Sequence, residues 1–213
     1  MKYTTDLFRE DRLRTAKSIL FVILCLPAAF LLYDIFTNRL GLEPVEELTH
    51  RTGEWGLKLL IITLAVTPVQ RLMGWSKLVR FRRMLGVFSF VYMLAHFSIY
   101  LVLDQFFYWP GIIQDIVERP YITVGFTCLI LCLPLALTST NGMMRRIGGK
   151  NWKRLHRLIY PAAIAAVLHF FWLVKADLTE PLIYALIVCV LLGFRLKNRP
   201  IRMKRAPATA FSI

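Results

Sequence analysis

Residues 151–171, NWKRLHRLIYPAAIAAVLHFF, open with Lys153, Arg154, His156 and Arg157 and then turn apolar. Deep within the apolar part stands one imidazole, His169. A helix needs about 20 apolar residues to cross a hydrocarbon core of about 30 Å. Cations gather at the cytoplasmic mouth of such a helix. The stretch therefore predicts a transmembrane helix entered from its basic end, with one imidazole at the mouth and a second far inside.

The rest of the chain follows the same pattern. Of its 213 residues 57% are hydrophobic, mean hydropathy is +0.55, and the formal charge is +14. Six apolar runs read as spans: Ser18–Phe36, Trp55–Met73, Met84–Leu103, Tyr121–Thr140, Leu158–Lys175 and Thr179–Phe194. The expected fold is an all-α integral membrane protein, a bundle of six transmembrane helices. Its parts are a charged cytoplasmic segment over 1–17, the spans over 18–194 and a basic cytoplasmic tail over 195–213. A nucleic-acid binder can be this basic, but it does not carry repeated runs of bilayer length. No nucleic-acid partner is expected, whereas membrane lipid is.

Charge sets the expected orientation. Of the 27 Lys and Arg residues, 22 fall on alternate flanks of the spans and 4 on the others, with Lys58 inside the second span. By the positive-inside rule both termini are cytoplasmic, and the opposite loops, with Glu43, Glu46, Glu47 and Glu54, face outward. Lys58, a turn from its outer end, is placed to snorkel, and Asp34 to reach water. The first span is too long, and too polar at its far end, for a cleaved signal peptide. Cys25, Cys128, Cys132 and Cys189 all fall within spans and read as small apolar side chains. There is no Cys/His zinc spacing, and RRIGGK over 145–150 is a turn flanked by cations rather than a phosphate loop. No internal repeat is visible.

The chemistry lies with the histidines. His96 is twelve residues beyond Met84, about 18 Å up at ~1.5 Å per residue, and His169 is thirteen beyond His156, about 20 Å up. Both spans run outward, so the two rings reach one depth on parallel helices. A polar ring at that depth needs a partner. The pair either bonds to itself or to a buried water, or supplies both axial ligands of a haem, as facing helices of a membrane bundle can. Small residues (Gly86, Ala95, Ala162, Ala163, Ala165, Ala166) and flat ones (Phe97, Phe170, Phe171, Trp172) nearby suit a porphyrin. His156 has Arg82 and Arg83 opposite it, not another histidine. It is either an interfacial cation or the ligand of a second haem on the cytoplasmic side, with those arginines near its propionates. Thirteen residues leave His156 and His169 about 140° apart around an ideal helix, and Pro161 between them is a place for a kink. His50 reads as a solvated loop residue.

LVRFRRMLGVFSFVYMLAHFSIYLVLD (78–104), RPYITVG (119–125), LALTST (135–140), NWKRLHRLIYPAAIAAVLHFFW (151–172) and EWGLKLLIITLAVTPV (54–69) together resemble the MsrQ (YedZ) family, over about residues 40–195. More broadly the chain resembles the transmembrane domain of ferric reductases and NADPH oxidases, which carry two histidines on each of two helices. The resemblance implies a haem b protein of the bacterial inner membrane, with one or two haems, associated with FMN. Its implied role is to pass electrons from the quinone pool, or from a cytoplasmic flavin donor, to a periplasmic molybdopterin enzyme that reduces methionine sulfoxide in proteins. Carried over by position, His96, His156 and His169 match the family's haem histidines. Arg83 stands where the wider oxidase pattern has a fourth ligand. The rivals are a self-sufficient ferric or quinone reductase, which needs a nicotinamide domain that this chain lacks, and a haem-free transporter or scaffold.

Overall fold

The computed structural model describes residues 2–174 and 176–197, and among these it is helical without a strand. In chain order the helices are α1 (Lys2–Phe36), α2 (Pro44–Met73), α3 (Arg82–Ile99), α4 (Trp109–Glu118), α5 (Pro120–Leu137), α6 (Asn141–Ile147), α7 (Gly149–Leu155), α8 (Ile159–Leu173) and α9 (Thr179–Lys197). Five stretches are long and apolar enough to cross a bilayer: Asp11–Phe36, Pro44–Met73, Ser76–Asp104, Pro120–Leu137 and Gly149–Leu173. The protein is thus an all-α, multi-pass membrane protein. The stretch predicted as a sixth span is helical as α9, which packs on α8 and α2 but is not one of these five. Lys175 and the predicted tail beyond Lys197 lie outside the described residues.

The core consists of two antiparallel hairpins, α2 with α3 and α5 with α8, laid against each other. Leu60, Leu64 and Ala163 are sealed where α2 meets α8, beside Val188 of α9. Cys128, Cys132 and Ala162 fill the seam between α5 and α8. The cysteines are free thiols that pack as apolar groups, as their depth predicts.

Three of the prolines in the spans shape the bundle. Pro68 has no N–H to offer the carbonyl of Leu64, and Arg195 of α9 takes that carbonyl with Nη2 at 2.6 Å. Pro161 falls in the first turn of α8, just past a 3₁₀ turn at His156–Leu158. The helix is therefore interrupted before the proline rather than kinked at it, and His156 and His169 sit on separate elements. Pro27 weakens α1, and the hydroxyl of Tyr92 inserts into the ladder beside it. That hydroxyl accepts from the Ala28 N–H (3.1 Å) and donates to the Leu24 carbonyl (2.8 Å), tying the otherwise peripheral α1 to α3. Tyr92→Phe removes both bonds. The expected loss is about 1 kcal/mol, read as a lower Tm in detergent.

Two local features differ from the sequence reading. The acidic stretch read as an outer loop is helical from Pro44 onward, because Pro44 suits the first helical position and Glu46 and Glu47 favour the N-terminal end of the dipole. Between α3 and α5 lies an unforeseen amphipathic helix, α4, with Ile112 buried and Trp109, Ile113 and Val117 exposed.

Candidate functional site

On α3, Ser89, Met93 and His96 are spaced i, i+4, i+7 and so share the face that packs on α2. Ser89 Oγ donates to the Gly56 carbonyl at 2.8 Å and fixes the register of the pair. Two turns further, His96 Nδ1 meets the carbonyl of Thr49 at 2.8 Å. On α8 the ring of His169 leans the other way, on α5, and its Nδ1 meets the carbonyl of Tyr121 at 2.7 Å. A carbonyl only accepts, so both Nδ1 atoms carry the proton and both Nε2 atoms hold bare lone pairs.

The two rings face each other across the gap between the hairpins. Their centroids are 6.0 Å apart and their planes stand at 80°. A metal sits about 2 Å from an imidazole nitrogen, so two imidazoles on one metal place their centroids roughly 6 Å apart. The rings do not satisfy themselves by bonding to one another, because each bonds to the backbone of its own hairpin. Each ring thus keeps one nitrogen uncommitted inside the same gap, where a cation or a proton donor would satisfy it.

A cavity of about 950 Å³ holds the pair, at the upper end of the range for cofactor sites. Phe97, Phe126, Ala166 and Phe170 wall it, and its mouth carries Glu43, Glu46, Glu54 and Glu180. Of the residues read as porphyrin neighbours, Phe97, Phe170 and Ala166 reach this wall. Ala162 and Ala163 are instead spent on helix packing, Gly86 lies against Thr63, and Trp172 is exposed. No cluster of three or more His, Cys, Asp or Glu side chains suited to a metal ion occurs among the described residues. The site is a pair of imidazoles, which suits a cofactor that brings its own four equatorial ligands.

The charged groups at the mouth are largely committed. Arg51 bridges Asp34 and Glu47 at 2.6 Å each, and Lys58 pairs with Glu54 at 2.6 Å. Asp34 is therefore paired rather than free in water, and Lys58 turns toward the acidic end as a snorkelling lysine would. His50 is helical rather than in a loop, but it is exposed as expected, 3.8 Å from Glu46. Glu43 is held above its ordinary value, first by a hydrogen bond with Glu46 and then by that neighbour's charge.

His156 stands apart from the pair, at the basic end. Its ring stacks on Trp152 at 3.7 Å, its Nδ1 bonds to the Trp152 carbonyl at 3.1 Å, and Trp152 is pinned by Nε1 to the Thr138 carbonyl at 2.9 Å. Its Nε2 is buried without a hydrogen bond of good geometry, although the backbone of Leu135 also acts on the ring. Arg82 and Arg83 are near enough to act on the ring electrostatically. Arg83 bonds to Asn141 at 2.5 Å, and Arg82 lies toward Arg195 and Tyr160.

Sequence reasoning missed the backbone partners Thr49 and Tyr121, the glycines beside the rings, Gly53 and Gly125, and Arg195. Glycines in a span have several uses, and only the fold shows which ones an imidazole lies against. A signal was nonetheless present: His96 and Thr49 are 47 residues apart, and His169 and Tyr121 are 48 apart, each with a glycine four residues after the acceptor.

Comparison with known proteins gives one consistent result. Residues 52–167 match the family of ferric reductase like transmembrane components. A protein of Xanthomonas campestris pv. campestris, named protein-methionine-sulfoxide reductase heme-binding subunit MsrQ, is 55% identical over 163 residues, covering 76% of this chain and 74% of its own. One of the same name from Rhodospirillum rubrum is 49% identical over 201 residues, covering 93% of this chain and 97% of its own. No solved structure matches significantly.

Proposed function

The chain belongs to the MsrQ family of ferric reductase-like transmembrane proteins, and on that premise we propose that it is the haem b electron carrier of a methionine-sulfoxide repair system. The observation that carries the reading is the imidazole pair: two rings at a metal-spanning distance, both with Nδ1 committed and Nε2 free, in a cavity of cofactor size. In this reading His96 and His169 hold the haem of the outer half through Nε2. Bound there, haem supplies a one-electron ferric/ferrous couple.

The remaining chemistry belongs to the chain. The carbonyls of Thr49 and Tyr121 make the imidazoles better donors by accepting their Nδ1 protons. The aromatic wall excludes water. At the basic end, His156 with its buried Nε2, near Arg82 and Arg83, serves a second, inner haem, and the arginines neutralise its carboxylates. Electrons enter there from the quinone pool and leave at the acidic mouth for a periplasmic molybdopterin enzyme that reduces methionine sulfoxide. Six spans with both termini cytoplasmic, in the inner membrane, give the basic and acidic ends these sides.

The test is a reduced-minus-oxidised absorption spectrum of the purified protein, with pyridine haemochrome quantification. A b-type spectrum reduced by a quinol is the expected result. Protein that stays colourless after expression with ample haem removes the carrier reading and leaves the transporter or scaffold.

Docking of the soluble partner is expected to rest on Glu43 and Glu46, since Glu47 is committed to Arg51. Changing both to Gln should slow reduction of the partner several-fold at low salt and have little effect at high salt, where the charges are screened. Because Glu43 binds its proton more readily than an ordinary carboxyl, docking should weaken on acidification at a higher pH than an ordinary carboxylate would give. Stopped-flow reduction rates against salt and pH check both statements, and equal rates for variant and wild type at low salt would remove the docking idea.

A further inference from the structure

One arrangement occurs twice in the bundle. Thr49, Gly53 and Gly56 on α2 are spaced i, i+4, i+7, and so are Tyr121, Gly125 and Cys128 on α5. Opposite them stand Ser89, Met93 and His96 on α3, and Ala162, Ala166 and His169 on α8, with the same spacing. Corresponding positions are hydrogen-bonded in both hairpins: Ser89 Oγ to the Gly56 carbonyl at 2.8 Å, and Cys128 Sγ to the Ala162 carbonyl at 3.3 Å. At the other end of each set the imidazole meets the carbonyl four residues before the glycine.

That carbonyl already accepts the helical N–H of the glycine itself. The imidazole uses its second lone pair and must cross the glycine to reach it; at Thr49 it does so beside Thr52 Oγ1, 3.0 Å from the same carbonyl but closer, at 2.7 Å, to that of Leu48. A Cβ at Gly53 would lie 2.9 Å from His96 Nδ1 and 3.1 Å from its Cε1. At Gly125 it would lie 2.7 Å from His169 Nδ1, 2.9 Å from Cε1 and 3.1 Å from Cγ. Contacts below 3.0 Å force a shift, and the groups that must shift are the rings. Neither glycine has a positive φ, so what its missing side chain provides here is room.

We infer that Gly53 and Gly125 are positioning residues for the two axial imidazoles. By leaving room for the Nδ1–carbonyl bonds they fix the tautomer, the plane and the basicity of both rings. This rests on the haem reading above and adds to it which residues set ligand geometry, and hence reduction potential. A methyl group at either glycine pushes the ring off its carbonyl while the histidine itself remains. Loss of such an outer partner typically costs about 10–100-fold in metal affinity. The effect should be larger at Gly125, where three ring atoms are close, than at Gly53.

The experiment compares wild type with Gly53→Ala, Gly125→Ala and Gly86→Ala. The last is the control, since its Cβ would meet only Thr63 Cγ2, at an ordinary 3.5 Å. Haem content, midpoint potential and the low-spin EPR signal, which reports the angle between imidazole planes, are read on each. The expected result is lowered haem affinity, a shifted potential and an altered signal in Gly53→Ala and Gly125→Ala, with Gly86→Ala like wild type. Unchanged potential and EPR signal in both variants overturns the inference, as does an equal change in all three. Wild type without haem instead defeats the underlying reading. If the alanine variants do not fold, NMR of ¹⁵N-histidine-labelled, ferrous wild type decides. Slowly exchanging Nδ1–H protons on His96 and His169 support the inference, and rapid exchange on either overturns it.

Discussion

Alanine at His96 or at His169 is expected to abolish the low-spin haem signal of the outer site, and the two variants should be alike. The rings form one site, 6.0 Å apart between centroids, and each is tied to a different hairpin. Removing one leaves a single imidazole in a cavity of about 950 Å³. No third histidine can substitute, because His156 stacks on Trp152 at the other end of the bundle and His50 lies 3.8 Å from Glu46 at the rim. His156→Ala should therefore leave the outer signal in place and remove only the contribution of an inner haem. The measurement is the reduced-minus-oxidised spectrum with haem stoichiometry for all three variants. An outer signal that survives in His96→Ala or His169→Ala would exclude the pair as axial ligands.

The second large effect is expected from Ala162→Leu. Ala162 is fully buried, packed on Cys128 and Cys132, and its carbonyl accepts from Cys128 Sγ at 3.3 Å. Three more carbons have nowhere to go except between α5 and α8. Overpacking a filled core costs about 1–3 kcal/mol. Here the strain also has a direction, since it drives α8 off α5 seven residues below His169, on the same face. Lower Tm and loss of haem should thus appear together. Ile164→Leu, on the same helix at a position 54% exposed, should change neither. If Ala162→Leu binds haem normally at an unchanged Tm, the α5–α8 seam is not what holds His169 in place.

The spans were legible because a bilayer imposes length and polarity on each segment separately. Their inner boundaries were less so. Helix α2 starts eleven residues before its predicted span, since Pro44 and the acids after it favour a helix start that hydropathy does not register. Helix α4 escaped for a related reason: ten residues with one apolar face are too short and too polar to read as a span. The early start of α2, not α4, is what lets Thr49 present a carbonyl to His96.

The histidines divide along the same line. Rise per residue alone put His96 and His169 at one depth, because depth in a membrane helix follows from position in the sequence. Which way each ring points does not, as it depends on which neighbour offers an acceptor and which offers room. The sequence by itself determined an all-α membrane protein, a basic and an acidic end, and two imidazoles level with each other. Tertiary structure decided that the rings turn to opposite hairpins, that Gly53 and Gly125 give them room, and that Arg195 caps the carbonyl freed by Pro68. Those outcomes rest on contacts between residues 43 to 131 positions apart, and no local rule of periodicity or charge reaches so far.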